Sequence, residues 1–118
     1  LPWDKSEAFK AGPESNIFHN LNDVPAANQN RLVTKLLSYP EWYAKYLDIL
    51  NAISASASNG NWMEGEVQRE YNQIHQAALD DTTKPYSNAE FEAGVQGLLT
   101  FVRNRPTLVN QQVAAARH

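Results

Sequence analysis

Pro40-Glu41-Trp42-Tyr43-Ala44-Lys45-Tyr46-Leu47-Asp48-Ile49-Leu50-Asn51-Ala52-Ile53 is the stretch that decides the fold. Pro40 has no N–H to leave unpaired in a first helical turn, and Glu41 sits beside the positive end of the helix dipole. Behind them Trp42, Tyr43, Tyr46, Leu47, Ile49, Leu50 and Ile53 recur at helical spacing and cover most of one side. The pattern predicts a helix to about Ala57, central to the domain. It frays through Ser54-Ala55-Ser56-Ala57-Ser58 into Asn59-Gly60, a turn signal.

Outward from this helix the same physics repeats. Upstream, Ala26 to Ser38 places Leu32, Leu36 and Leu37 on one stripe with Asn28, Asn30, Arg31 and Lys35 outside it, and Tyr39-Pro40 closes the helix because proline disfavours the α region in the residue before it. Downstream, Asn61-Trp62-Met63-Glu64 has the form of a capping box. Val67, Tyr71, Ile74 and Ala78 then face inward, with Glu66, Arg69, Glu70, Gln73 and Gln76 outward, until Asp80-Asp81-Thr82-Thr83-Lys84-Pro85 breaks the pattern. Ser87-Asn88-Ala89-Glu90 repeats the capping logic before a fourth helix striped by Phe91, Val95, Leu98, Leu99 and Val102. Gly94 and Gly97 inside it each cost about 1 kcal/mol relative to alanine, and close packing against a neighbouring helix is the expected reason. A fifth, shorter helix is expected from Pro106, with Leu108, Val109 and Val113.

From Leu1 to about Pro25 no period is sustained, and Pro2, Gly12, Pro13 and Pro25 punctuate an irregular arm. Trp3, Phe9, Ile17, Phe18 and Leu21 are too many large apolar groups to leave in water, so the arm is expected to lie across the body. No stretch alternates long enough for a strand. The expectation is an all-α protein, an antiparallel bundle of four to five short helices over residues 26–118 behind an irregular arm over 1–25.

Composition narrows the function. The 118 residues include no cysteine, which excludes disulfides, cysteine-ligated metals and thiol catalysis. A net charge of −3 without any Lys/Arg cluster argues against nucleic acid as a partner, and no apolar run reaches the roughly 20 residues of a membrane span. The amino end, Leu1-Pro2-Trp3-Asp4-Lys5, has neither an initiator Met nor a signal-peptide apolar region, so the chain is read as a piece of a longer protein. His19, His75 and His118 lie in the arm, on the third helix and at the terminus, too scattered for the four converging ligands of a zinc site, and His75 reads as a helix-boundary side chain. Asp80-Asp81 reads as helix-end turn chemistry, because it lacks the alternating acids and central Gly of a calcium loop. There is no Gly-x-Ser-x-Gly elbow and no Gly-rich phosphate loop, so no catalytic residue is assigned. Arg103 and Arg105, placed at the end of the fourth helix, are candidates for binding a phosphate or carboxylate, or else complement the helix dipole.

A family resemblance begins at Trp3-Asp4. Leu1-Pro2-Trp3-Asp4-Lys5-Ser6-Glu7-Ala8-Phe9 resembles the "pWDxDxxFG" segment of CotH-type proteins, the spore-coat protein H family of atypical secreted kinases. Leu36-Leu37 followed by Pro40-Glu41-Trp42-Tyr43-Ala44-Lys45-Tyr46 is similar to that family's "LL-x-x-P-x-(F/Y)-x-x-x-Y" helix. Phe91 to Arg105, followed by Leu108 and Val109, resembles its "F-x-x-x-V-x-x-L-x-x-F-(V/I)-x-x-R" ending. Ser6 stands where the pattern has its second Asp, and Lys10-Ala11 separates Phe9 from Gly12.

The resemblance implies that Asp4 holds a metal ion beside nucleotide phosphates in the intact parent, that Trp3 belongs to the same binding segment, and that Mg²⁺ and ATP serve the parent while this chain has no cofactor of its own. It also implies a secreted or cell- or spore-surface location. The expected function is that of a carboxy-terminal helical subdomain that braces an upstream kinase-like lobe of the same protein and is not an enzyme alone. The alternative is an independent helical module for protein interaction or ligand binding. A contiguous exposed patch containing Trp3, Phe9 or Trp62 favours the module, and burial of all three favours the brace.

Overall fold

The computed structural model describes residues 12–22 and 24–118. Along the chain run α1 (His19–Asn22), a 3-10 turn (Ala26–Asn28), α2 (Arg31–Leu37), α3 (Pro40–Ser58), a second 3-10 turn (Asn59–Asn61), α4 (Trp62–Asp80) and α5 (Asn88–Ala116). No strand occurs among the described residues, so the all-α expectation holds for them.

Several helix ends follow from local chemistry. The Asn30 side chain accepts from the amides of Leu32 and Val33 at 3.0 and 3.3 Å and starts α2. Tyr39 is extended, as the residue before a proline must be, and Pro40 takes the first turn of α3. At Ser87 both halves of the capping box form: the hydroxyl accepts from the Glu90 amide at 3.2 Å while the Ser87 amide donates to the Glu90 carboxylate at 2.8 Å. The box expected at Asn61 does not form. Gly60 and Asn61 both adopt positive φ, 62° and 53°, to turn the chain from α3 into α4, and Glu64 is drawn away to Arg103.

The three long helices are not arranged as a bundle of four to five short ones. α5 runs 29 residues, about 43 Å at 1.5 Å per residue, and serves as a common spine. α3 packs antiparallel on its carboxy-terminal half: the Tyr43 hydroxyl donates to the Ala116 carbonyl at 3.3 Å and the Ser54 hydroxyl to the Pro106 carbonyl at 2.7 Å. α4 then continues along the amino-terminal half, where Glu64 faces Arg103, His75 faces Glu92 and Leu79 faces Asn88. Each step forward on α4 is matched by an equal step back on α5. α3 and α4 therefore follow one another along the same spine and touch each other mainly where they join.

The break expected at Pro106 is absent, since α5 passes through it. An interior proline forfeits one backbone hydrogen bond and crowds the carbonyl four residues earlier, a cost of about 3 kcal/mol. Here the ring is buried in the face covered by α3, and the Pro106 carbonyl gains a donor from Ser54, which is only 3% exposed. Burial of the ring offsets part of the local penalty, and the packing of α3, marked by the Ser54 bond, keeps the helix continuous, which no reading of neighbouring residues could reveal.

The core lies at the α3 end. Leu47 and Val113, each 1% exposed, pack with Ile17 and Val109, and Phe18, Tyr43, Tyr46, Leu50 and Ala116 close around them. α4 contributes no buried residue. Its half of the molecule is a two-helix hairpin with only one apolar interface, too thin to bury both sides.

Candidate functional site

Two features remain after the core is accounted for, one at each end of the spine. The first is a clamp on the arm. On α5, Arg105 donates through Nη1 to the carbonyls of Pro13, at 2.8 Å, and Ser15. Two turns further on the same side, Gln112 accepts from the Ile17 amide at 2.8 Å and donates to the carbonyls of Glu14 and Ser15 at 3.1 and 3.2 Å. From α3 the Tyr46 hydroxyl donates to the Ile17 carbonyl, and burial pushes that phenol's pKa up. The Phe18 ring stacks on Tyr43 with 5.5 Å between centroids. An irregular segment has backbone groups that no ladder satisfies, and these side chains take over that role. Residues 12–22 are thus held across the body as expected, with one turn of helix, α1, inside what the sequence reads as wholly irregular.

The second feature is an apolar groove of about 600 Å³ between α4 and the first half of α5. Trp62, Val67, Ile74, Phe91, Val95 and Leu98 are among the apolar side chains that line it, and Tyr86 lines it too. Trp62 is 54%, Ile74 48% and Tyr86 49% exposed, so these side chains face water. Glu66, Glu70 and Glu90 also line the groove, and no lysine or arginine does. The Glu66 carboxyl is held below its usual range by hydrogen bonds from Arg69, and that of Glu90 by the Ser87 amide and hydroxyl.

Gly94 lies in the groove wall, and a methyl group built on it or on Gly97 meets nothing within 4 Å. The close neighbour expected at both glycines is therefore missing among the described residues. The physical reason is the tandem arrangement: α4 covers one side of α5 here, and no third described helix reaches the other.

Along the same hairpin, Tyr71, His75 and Glu92 form a small polar cluster. The Tyr71 hydroxyl donates to one Glu92 oxygen at 2.9 Å and His75 Nε2 lies 2.8 Å from the other, with the two rings 4.6 Å apart. These contacts, Tyr71 first, hold the Glu92 carboxyl below its usual range, and the bond to Glu92 raises the Tyr71 phenol. Sequence reading placed His75 at a helix boundary and missed Glu92, because the pair meets only once the loop after Asp80 folds α5 back on α4. An acid on the inner edge of the next helix was the only available signal.

Of the residues singled out from sequence, Trp3 and Asp4 lie outside the described residues. Arg103 and Arg105 sit in mid-helix and not at a helix end, so they do not complement a terminal dipole. Two positions apart, they reach different partners: Arg103 pairs with Glu64 on α4 at 2.6 Å, while Arg105 holds the arm. Among the described residues no group of three or more His, Asp or Glu side chains is placed to hold a metal ion. No described helix is long and apolar enough to cross a membrane.

Comparison with known proteins adds one finding. A family model described as CotH kinase protein matches residues 1–109 of the 118. Neither a curated protein nor a solved structure matches. The matched span takes in the Trp3-Asp4 segment, α1 to α4 and α5 as far as Val109, with Arg105 and Tyr46 of the clamp inside it and Gln112 beyond it, and the chain belongs to the CotH kinase protein family.

Proposed function

We propose that this chain is the helical subdomain of a CotH-like kinase and that it braces the kinase-like lobe of the same protein by holding the Trp3-Asp4 segment in place. The observation that carries this reading is the clamp: Arg105, Gln112 and Tyr46 fix the backbone of residues 13–17, which begin nine positions after Asp4. An exposed stripe on α3, formed by Trp42, Ile49 and Ile53, offers an apolar surface for the lobe to cover. Asp4 is proposed as one carboxylate ligand of a Mg²⁺ ion at the nucleotide phosphates. A single hard oxygen donor suits Mg²⁺, which takes one or two carboxylates and fills its shell with phosphate and water. The role of this chain's residues is to position that carboxylate, and ATP and the acceptor are handled by the lobe.

The test is an Arg105→Ala, Gln112→Ala double variant in the intact protein, measured for Mg·ATP affinity and for amide exchange over residues 13–17. Faster exchange with weaker Mg·ATP binding supports the reading. Faster exchange with unchanged Mg·ATP binding refutes it, because the clamp would then hold the arm without serving the site. A second reading, an interaction module, is favoured by one observation: Trp62 is exposed within a continuous apolar groove.

A further inference from the structure

The α4–α5 hairpin has the ingredients of a receptor for another helix. Two antiparallel helices present a shallow trough between them, and a third helix laid in it completes the layer that a hairpin lacks. The trough is apolar along its length, from Trp62 and Val67 through Ile74 and Val95 to Leu98. Gly94 in its wall leaves room for a backbone to approach closely, which gives a reason for a helix-interior glycine that no described neighbour explains.

The rim decides which helix fits. Three carboxylates line the trough and one guanidinium, Arg69, is paired with two of them, which leaves a net charge of −2 around an apolar floor. A second copy of the chain laid face to face would bring two such acidic rims together and pay like-charge repulsion. An acidic or neutral partner gains nothing from the rim. A partner with Lys or Arg flanking its apolar stripe gains opposite charge at both edges. We propose that the α4–α5 groove docks an amphipathic helix of a partner protein, with apolar side chains at i, i+4, i+7 and i+11 flanked by lysine or arginine. This deepens the interaction-module reading and is independent of the bracing reading, which rests on the other end of the spine.

The test uses the 118-residue chain and three synthetic peptides of equal length: a Leu-striped helix flanked by Lys, the same stripe flanked by Glu, and a Lys peptide of the first composition with its stripe scrambled. Calorimetry gives affinity and amide and methyl NMR shifts give location. The Lys-flanked helix is expected to bind in the micromolar range, to shift Val67, Ile74, Val95 and Leu98, and to weaken about tenfold or more on Glu66→Lys with Glu70→Lys. Ile74→Asp, at an exposed position that leaves the fold intact, is expected to abolish it. Binding of the Glu-flanked helix equally well in the groove overturns the basic occupant while leaving an interaction module standing. Equal binding of the scrambled peptide, or shifts elsewhere, reduces the contact to bulk charge and overturns the proposal. No shift in the groove with any peptide overturns both readings, and self-association through the groove assigns it to a second copy and overturns the partner helix.

Discussion

Pro106→Ala is the sharpest test of the continuous spine, because the two descriptions of this position predict opposite signs. In a helix interior, alanine is favoured over proline by about 3 kcal/mol. The ring is buried, and replacing it removes two methylenes at about 0.8 kcal/mol each, or about 1.6 kcal/mol. The hydrogen bond from Ser54 is made to the Pro106 backbone carbonyl and survives the change. The net is a gain of about 1.4 kcal/mol, which at a urea slope near 2 kcal/mol/M moves the midpoint up by about 0.7 M. If residue 106 instead opened a separate helix, proline would already suit the first turn and the substitution would leave only the lost burial. Urea unfolding followed by far-UV circular dichroism reads the difference. A midpoint that falls, with the helical signal unchanged, refutes the continuous helix and with it the tandem placement of α3 and α4.

Gly97→Ala is expected to stabilise the chain by about 1 kcal/mol, since the added methyl meets open space; a loss in thermal unfolding would reveal a close neighbour after all. The pH dependence of stability has a predictable contribution from Glu92, whose folded pKa lies below the ordinary carboxylate value because Tyr71 and His75 hydrogen-bond to it. The unfolded state then binds the proton more readily, so the stability Glu92 supplies is complete above the ordinary carboxylate value and is lost as pH falls through the depressed folded value. Glu92→Gln should flatten that acid limb, and an unchanged slope in denaturant titrations from pH 5 to pH 3 would remove Glu92 from it. Tyr71, raised by the same bond, contributes in the opposite sense: its share is present below the ordinary phenol value and is lost as pH rises through the higher folded value.

How much was legible in the sequence depends on the range of each interaction. Residue type and spacing alone determined that the described chain is helical, where α3 starts, and that Ser87 and Glu90 form a box, whereas the helix read from Ala26 begins only at Arg31, behind a 3-10 turn and the Asn30 cap. Each of these rests on groups within about four residues, where chain connectivity already brings the partners together. Tertiary structure decided the rest. Pro106 reads as a break until Ser54, 52 positions away, is seen beneath it, and the groups that hold the arm stay hidden until Gln112 is found on Ile17 across 95 positions. His75 gained its carboxylate, and Gly94 lost its expected neighbour, only when α4 was seen to follow α3 along one spine. The sequence patterns specify which faces are apolar, but which of those faces stay open depends on how helices pack over distances that local spacing does not encode.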